Sequence, residues 1–200
     1  EKLKTLITAP VQPAVNPVVL RIDGNLLPWA KLVDAVAKKE KPGTLTADDA
    51  FAMGFDHVSG ATGNASEAAA KKFHDLQDVQ LIDMGDFAGG MLKYVRAHPV
   101  RHVVIAGGFA KITKLAQGAM DLHSSRSQVD LNLLAEIAVE RGLNQNLKSR
   151  IQSANTAQEA LEIAADNGVD LATPIAGMAL AACWDTLRGA PVQAEVIVTD

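Results

Sequence analysis

Cysteine is nearly absent from this chain, and that absence narrows its chemistry first. Among 200 residues there is one, Cys183, which excludes an internal disulfide and any thiolate-rich metal site. The thiol stands in an apolar run and reads as core rather than as a reactive group. Aromatic residues make up only 4%, and the basic residues lie scattered in a chain of net charge −4, a pattern that argues against a nucleic-acid surface. No apolar run approaches the ~18 residues of a membrane span, and no basic region followed by an apolar stretch opens the chain. Neither a membrane nor a secretion signal is present, and the cytoplasm is the expected compartment. An initiating methionine is also missing, and the chain stops inside an expected strand, so a piece of a longer protein is expected. What remains is 48% hydrophobic and 21% charged, enough for one sizeable core or for one large and one small domain.

Punctuation by proline and glycine divides the chain. Prolines at 10, 13 and 17 predict an extended linker or arm over 5–17. A short strand is expected over 18–22, and a helix from Pro28 that ends at Pro42 and Gly43. Thr46 followed by Asp49 suits the start of a further short helix. The expected division is thus 1–50 as arm plus short strand and helix, and 51–200 as an α/β domain.

Beyond residue 55 the pattern becomes regular. Strands are expected over 56–59, 79–84 and 101–106, each followed by a glycine-bearing loop and a helix, over 65–76, 87–98 and 109–118. Asn64 with Glu67 reads as an N-cap pair for the first of these helices. Helices are then expected over 129–141, 143–151, 156–166 with Thr156 and Glu159 as a capping box, and 175–187, before a last strand over 192–198. Such alternation predicts a Rossmann-like, mainly parallel, doubly wound α/β sheet with a helical C-terminal part.

In a parallel sheet the loops after the strands share the carboxyl edge. The loops Gly60-Ala-Thr62-Gly63-Asn64, Met84-Gly85-Asp86-Phe87 and Gly107-Gly108 should therefore crowd along one rim. Glycine lets backbone N–H groups approach a ligand, and helix N-termini favour an anionic group. Each loop alone reads equally as a tight turn, since neither G-x-G-x-x-G nor a P-loop occurs. Asp86 reads as an N-cap and equally as a rim carboxylate able to take a hydroxyl or ammonium group. Asp83 is a weaker candidate of the same kind. Lys111 and Lys114 stand against the dipole preference for acids at a helix start, so they face either an anionic ligand or solvent.

Residues 121–130, DLHSSRSQVD, gather eight polar or ionisable side chains. His123, Ser124 and Arg126 form a candidate set for proton transfer and carboxylate binding; His123 reads as a general base, a ligand contact or a surface histidine. His123 has no second ligand at i+3 or i+4, and His57, His74, His98 and His102 lie in other segments, so spacing gives no metal cluster around it. No G-x-S-x-G elbow supports a hydrolase triad.

The runs GATGNASEAA, LIDMGDFAGGMLKYVRAHPV and HVVIAGGFAKITKLAQGAMDLHSSRSQVDLNLLAEIA resemble the C-terminal half of the cobalt-precorrin-5B C1-methyltransferases of anaerobic cobalamin biosynthesis. The resemblance is strongest over 51–138. It implies methyl transfer from S-adenosylmethionine, as cofactor and methyl donor, to ring carbon C1 of a cobalt-bound precorrin. The cobalt then belongs to the substrate, with no protein-bound metal expected. On that reading Gly60, Thr62, Gly63, Asn64, Gly85, Asp86, Gly107 and Gly108 hold the cofactor. Lys111, His123, Ser124 and Arg126 meet the tetrapyrrole, and Asp86 and His123 are the candidate catalytic residues. The expected partner is a small tetrapyrrole, with a homo-oligomer left open and neither nucleic acid nor membrane expected. The resemblance also implies an N-terminal α+β domain opening with a T-T-G-x-C-A-type motif; this motif does not occur here, and Val15-Asn-Pro-Val resembles the junction after it. The alternative from another class is a non-catalytic module, or a fragment lacking that domain, that binds a tetrapyrrole or nucleotide without turning it over.

Overall fold

The computed structural model describes residues 7–8 and 54–199. Five strands form one sheet: β1 (Ile7–Thr8), β2 (His57–Ala61), β3 (Leu81–Asp83), β4 (His102–Gly108) and β5 (Gln193–Thr199). Their order is β1-β5-β4-β2-β3. Four strands are parallel, and β1 pairs antiparallel with β5 at one edge. Seven helices are found among the described residues: α1 (Asn64–His74), α2 (Ala88–Ala97), α3 (Phe109–Ala116), α4 (Leu131–Glu140), α5 (Gln145–Gln152), α6 (Ala157–Asp166) and α7 (Ala172–Leu187). The chain is an α/β fold with a mainly parallel sheet and a helical C-terminal part, as the alternation predicted. The elements expected over 18–22, from Pro28 and at Thr46 lie outside the described residues.

Side-chain alternation along the strands separates two faces. Val58, Val103, Ile105, Val196 and Val198 face the main core, which also takes in side chains of α2, α3, α4, α6 and α7. Ala61, Val104, Ala106 and Ile197 face the other way and form a thin second cluster with Ala70 of α1. Alanines at three of those five positions let α1 lie close to the sheet. The chain leaves β2 through α1 toward β3, then returns across to β4 on the far side of β2. The strand order therefore reverses between β2 and β4, the place where open α/β sheets bind ligands beyond the strands' carboxyl ends.

Several boundaries differ from the expectation, each for a local reason. Gly60 is not in a loop: it is buried inside β2, and a Cβ there would overlap the Met91 thioether. Gly107 and Gly108 are likewise the last two residues of β4, with α3 starting directly after them. A Cβ on Gly107 would lie 2.9 Å from Thr62 Oγ1 and 3.0 Å from Ile112 Cδ1, so close packing explains this glycine. Asn64 is the first residue of α1 rather than its cap; Gly63 holds the N-cap position with no side-chain bond. The strand expected over 79–84 shortens to three residues because 78–80 form a 3-10 turn. Downstream, the Thr156 hydroxyl accepts from the Glu159 N–H at 3.1 Å as the capping box requires, but the Glu159 carboxylate reaches Asn155 N instead of Thr156. Cys183 is fully buried in α7, and burial pushes its thiol up to about 12, in line with the core reading.

Candidate functional site at the carboxyl rim

The sheet register sets the rim. Ala61 pairs with Ala106 on one side and with Asp83 on the other, so β2 and β3 end at one level while β4 runs two residues further, to Gly108. Thr62 turns out of β2 and donates its N–H to Ala106 O at 3.0 Å. This bond ties the β2 loop to the end of β4 across the switch point. Just above it are the starts of α1 and α3, capped by Gly63 and Gly108 with no side-chain partner. Their first N–H groups are therefore left for solvent or an anion. Open space surrounds the Cβ positions of Gly63 and Gly85, with no heavy atom within 4 Å.

Asp86 does not cap α2; Phe87 occupies that position without a side-chain bond. Gly85, at φ +53, turns the chain ahead of it, and the Asp86 carboxylate pairs with Lys111 Nζ at 2.6 Å. The pair joins the β3 loop to the first turn of α3 over the end of β2, which lies between those strands. Neither lysine is simply solvated: each is held by partners within the chain. Lys111 also donates to Leu122 O at 3.2 Å, and buried Lys114 donates to the same carbonyl at 3.1 Å. Burial, reinforced by the Lys111 charge and opposed by Asp86, lowers the Lys114 amine below the ordinary lysine value. Asp83 is exposed at the end of β3.

The polar segment after α3 is less free than its composition suggests. Leu122 is fully buried in the core, worth about 1.5–3 kcal/mol for a side chain of its size. Its N–H donates to Asp86 O at 2.8 Å, so the segment is fastened beside the rim carboxylate. His123, Ser124 and Arg126 then emerge exposed. The His123 ring accepts from Ser125 N–H at its Nδ1, 3.2 Å away, and Ser125 Oγ is 2.8 Å from the same atom. Asp130 ends the segment by capping α4, accepting from Asn132 N at 2.8 Å and Leu133 N at 3.3 Å. The structure thus brings Thr62, Gly63, Asn64, Gly85, Asp86, Gly108, Lys111 and His123 to one edge. It withdraws Gly60 and Gly107 into the packing beneath. A groove of 290 Å3 lined by Lys93, Arg96, Met120, Asp185, Thr186 and Arg188 lies beside α2 and α7, and none of the predicted residues lines it.

At the opposite edge the fold assembles what spacing along the chain did not show. His57 and His102 open β2 and β4 as register partners, with ring centroids 4.3 Å apart. His74, the last residue of α1, stands edge-on to both, at 5.0 and 5.5 Å. Glu195 of β5 lies 3.2 Å from His74 Nε2 and 3.6 Å from His102 Nε2. Burial, with the His102 and His74 rings alongside, lowers His57 to about 4. Burial opposes ionisation of Glu195, and the His102 and His74 rings outweigh it, holding the carboxyl below the ordinary range.

A family model described as the CbiD C-terminal domain matches residues 121–200. A cobalt-precorrin-5B C(1)-methyltransferase of Brucella anthropi is 57% identical over 153 residues, covering 76% of this chain and 42% of that protein. Proteins of the same name from Brucella ovis and Brucella suis match with the same identity and coverage. By its C-terminal part, the chain belongs to the CbiD family.

The chain spans 42% of the length of those CbiD relatives. No solved structure matches it. The matched C-terminal domain begins at Asp121, the first residue of the polar segment, and so includes His123 and Arg126, while the similarity to the relatives extends over 153 residues. The His57–His74–His102 group escapes a search for ligands at i+3 or i+4 from His123, because its members come from three separate elements. The usable signal was positional: His57 and His102 each precede an apolar strand at the same distance from the rim.

Proposed function

We propose that the carboxyl rim binds S-adenosylmethionine and a cobalt-precorrin, and that the chain serves methyl transfer to C1 of cobalt-precorrin-5B in the cytoplasm. The observation that carries this reading is the 57% identity to proteins of that name, in a chain whose sheet reverses strand order beneath two uncapped helix starts. The rim residues fit the methyl donor. The open space over Gly63 and Gly85 admits a ligand, and the first N–H groups of α1 and α3 suit its carboxylate. Asp86 uses Oδ1 for Lys111, and a carboxylate accepts about four hydrogen bonds, which leaves capacity for an ammonium group.

When bound, S-adenosylmethionine supplies an electrophilic methyl group. The chain's own contribution is to hold the two reactants in line, the effect that converts a bimolecular step into a positioned one. The Lys111–Asp86 bridge and the buried Leu122 fix the place of His123 and Arg126. Arg126 offers a planar donor set to the acidic side chains of the tetrapyrrole, and the exposed His123 ring is available to hold or move a proton there.

Thermal-shift measurements on the chain test this reading. S-adenosylhomocysteine and a cobalt corrinoid should each raise Tm. In a His123→Ala, Arg126→Ala double variant the corrinoid shift should be lost while the S-adenosylhomocysteine shift remains. An undiminished corrinoid shift in the double variant removes both residues from the substrate site, and no shift with either ligand sinks the function.

A further inference from the structure

The histidine group at the amino edge is independent of the rim. From His102 to Gly108 the strand β4 covers six residue steps, about 20 Å at the rise of a parallel strand. Nothing in the methyl-transfer reading uses this end of the sheet. We propose that His57, His74, His102 and Glu195 bind one divalent ion of the zinc class.

Three observations carry the assignment. First, one ligand atom from each of the three histidines lies within 4.8 Å of the others. A tetrahedral ion with Zn–N of about 2.1 Å sets ligand atoms about 3.4 Å apart, so small ring rotations close the widest gap. The Glu195 oxygens already stand near that spacing, at 3.2 Å from His74 Nε2 and 3.6 Å from His102 Nε2. Second, His57 Nε2 and His102 Nε2 are buried and have no hydrogen-bond partner. Leaving a buried polar atom unsatisfied costs about 1–3 kcal/mol, and a metal would satisfy both nitrogens at once. A small shift would let Glu195 accept from His102 Nε2, which stands 3.6 Å away, but it would leave His57 Nε2 without a partner. Third, the ligands come from four separate elements, β2, α1, β4 and β5. An ion there would clasp the C-terminal end of α1 to the starts of three strands, across the face where packing is thinnest.

The donor set selects the ion. Three imidazoles and one carboxylate suit zinc, nickel or cobalt(II), whereas calcium and magnesium take all-oxygen shells. Glu195 is 7% exposed, and the histidine side chains for which exposure decides entry, His74 and His102, are 13% and 17% exposed. The site is therefore enclosed and still reachable from solvent.

The test uses the untagged chain, which contains five histidines. After removal of metal by chelation, one equivalent of Zn2+ should bind per chain by calorimetry and raise Tm. Co2+ should give the intense visible absorption of a tetrahedral site, a readout that needs no variant. His102→Gln should weaken Zn2+ binding at least tenfold, on the order of the loss from disturbing even a ligand's supporting partner, and His98→Ala should leave it unchanged. Absence of a Tm shift with Zn2+, a weak octahedral Co2+ spectrum, or equal Zn2+ affinity in His102→Gln and the parent chain would each overturn the proposal.

Discussion

Replacing Gly89 by alanine is expected to lower the unfolding free energy by about 1–3 kcal/mol, the range for forcing extra atoms into a packed interior. Gly89 lies in the first turn of α2, where alanine would ordinarily favour the helix by about 1 kcal/mol. Here the added Cβ would sit 2.5 Å from Met120 Cβ and 3.2 Å from Met120 O. The Gly89 N–H also donates to that carbonyl at 2.8 Å, so neither backbone can withdraw without breaking the bond. The displaced segment leads directly into Leu122 and His123, which means the same substitution should loosen the loop proposed to meet substrate. Gly90 provides the internal control. It is exposed, and a Cβ there meets only Phe87 Cβ, at 3.9 Å; Gly90→Ala should stabilise by about 0.5–1 kcal/mol through helix propensity. Urea unfolding compares the two, with midpoints moving in opposite directions at unchanged m. A Gly89→Ala midpoint equal to or above that of the parent chain would contradict the packing described.

The second large effect is expected at Asp86. Truncation to alanine leaves the Lys111 ammonium without its carboxylate and keeps buried Lys114 nearby. The side chains of the pair are only 31% and 20% exposed, so the loss should be about 1–3 kcal/mol, the cost of stranding a partly buried polar group. Removing Lys111 as well should recover part of it, with a coupling of about 0.5–3 kcal/mol between Asp86→Ala and Lys111→Met. Calorimetry on the same variants separates structure from binding. If Asp86 receives the cofactor's ammonium group, Asp86→Ala weakens S-adenosylhomocysteine binding and Lys111→Met does not. Unchanged affinity in Asp86→Ala would leave the residue a structural bridge alone.

Much of the fold was legible because the strands are apolar runs separated by helices with clear stops. β5 shows this well: its expected start and end each lie one residue from those observed. The rim was less legible, for a physical reason. A glycine needed for close packing and a glycine needed for a loop look alike in sequence, and Gly60 and Gly107 proved to be of the first kind, held by Met91, Thr62 and Ile112. Of the two readings of Asp86, the cap fails because the turn at Gly85 redirects the carboxylate toward α3, a consequence of tertiary contact that no local pattern carries. The internal partners of the lysines were hidden in the same way. Their partner, the carbonyl of Leu122, is eleven residues from Lys111 and eight from Lys114. The histidine group was hidden more deeply, since it depends on strand register and on where α1 ends.

These placements also reshape the polar segment. Composition made it a surface loop with a possible catalytic set; the structure makes it a loop with a buried anchor at Leu122, a cap at Asp130, and His123, Ser124 and Arg126 exposed between them. Short fixed ends restrict how far those side chains can travel, which is what a positioning role requires.

The central claim, that the carboxyl rim at the strand-order reversal is the ligand site, is tested most directly by amide chemical-shift mapping with S-adenosylhomocysteine. The largest perturbations should fall on Thr62, Gly63, Asn64, Gly85, Asp86 and Gly108, with the amino-edge histidines unaffected. Perturbations confined to the groove lined by Lys93, Arg96 and Arg188, or none at saturating ligand, would contradict it.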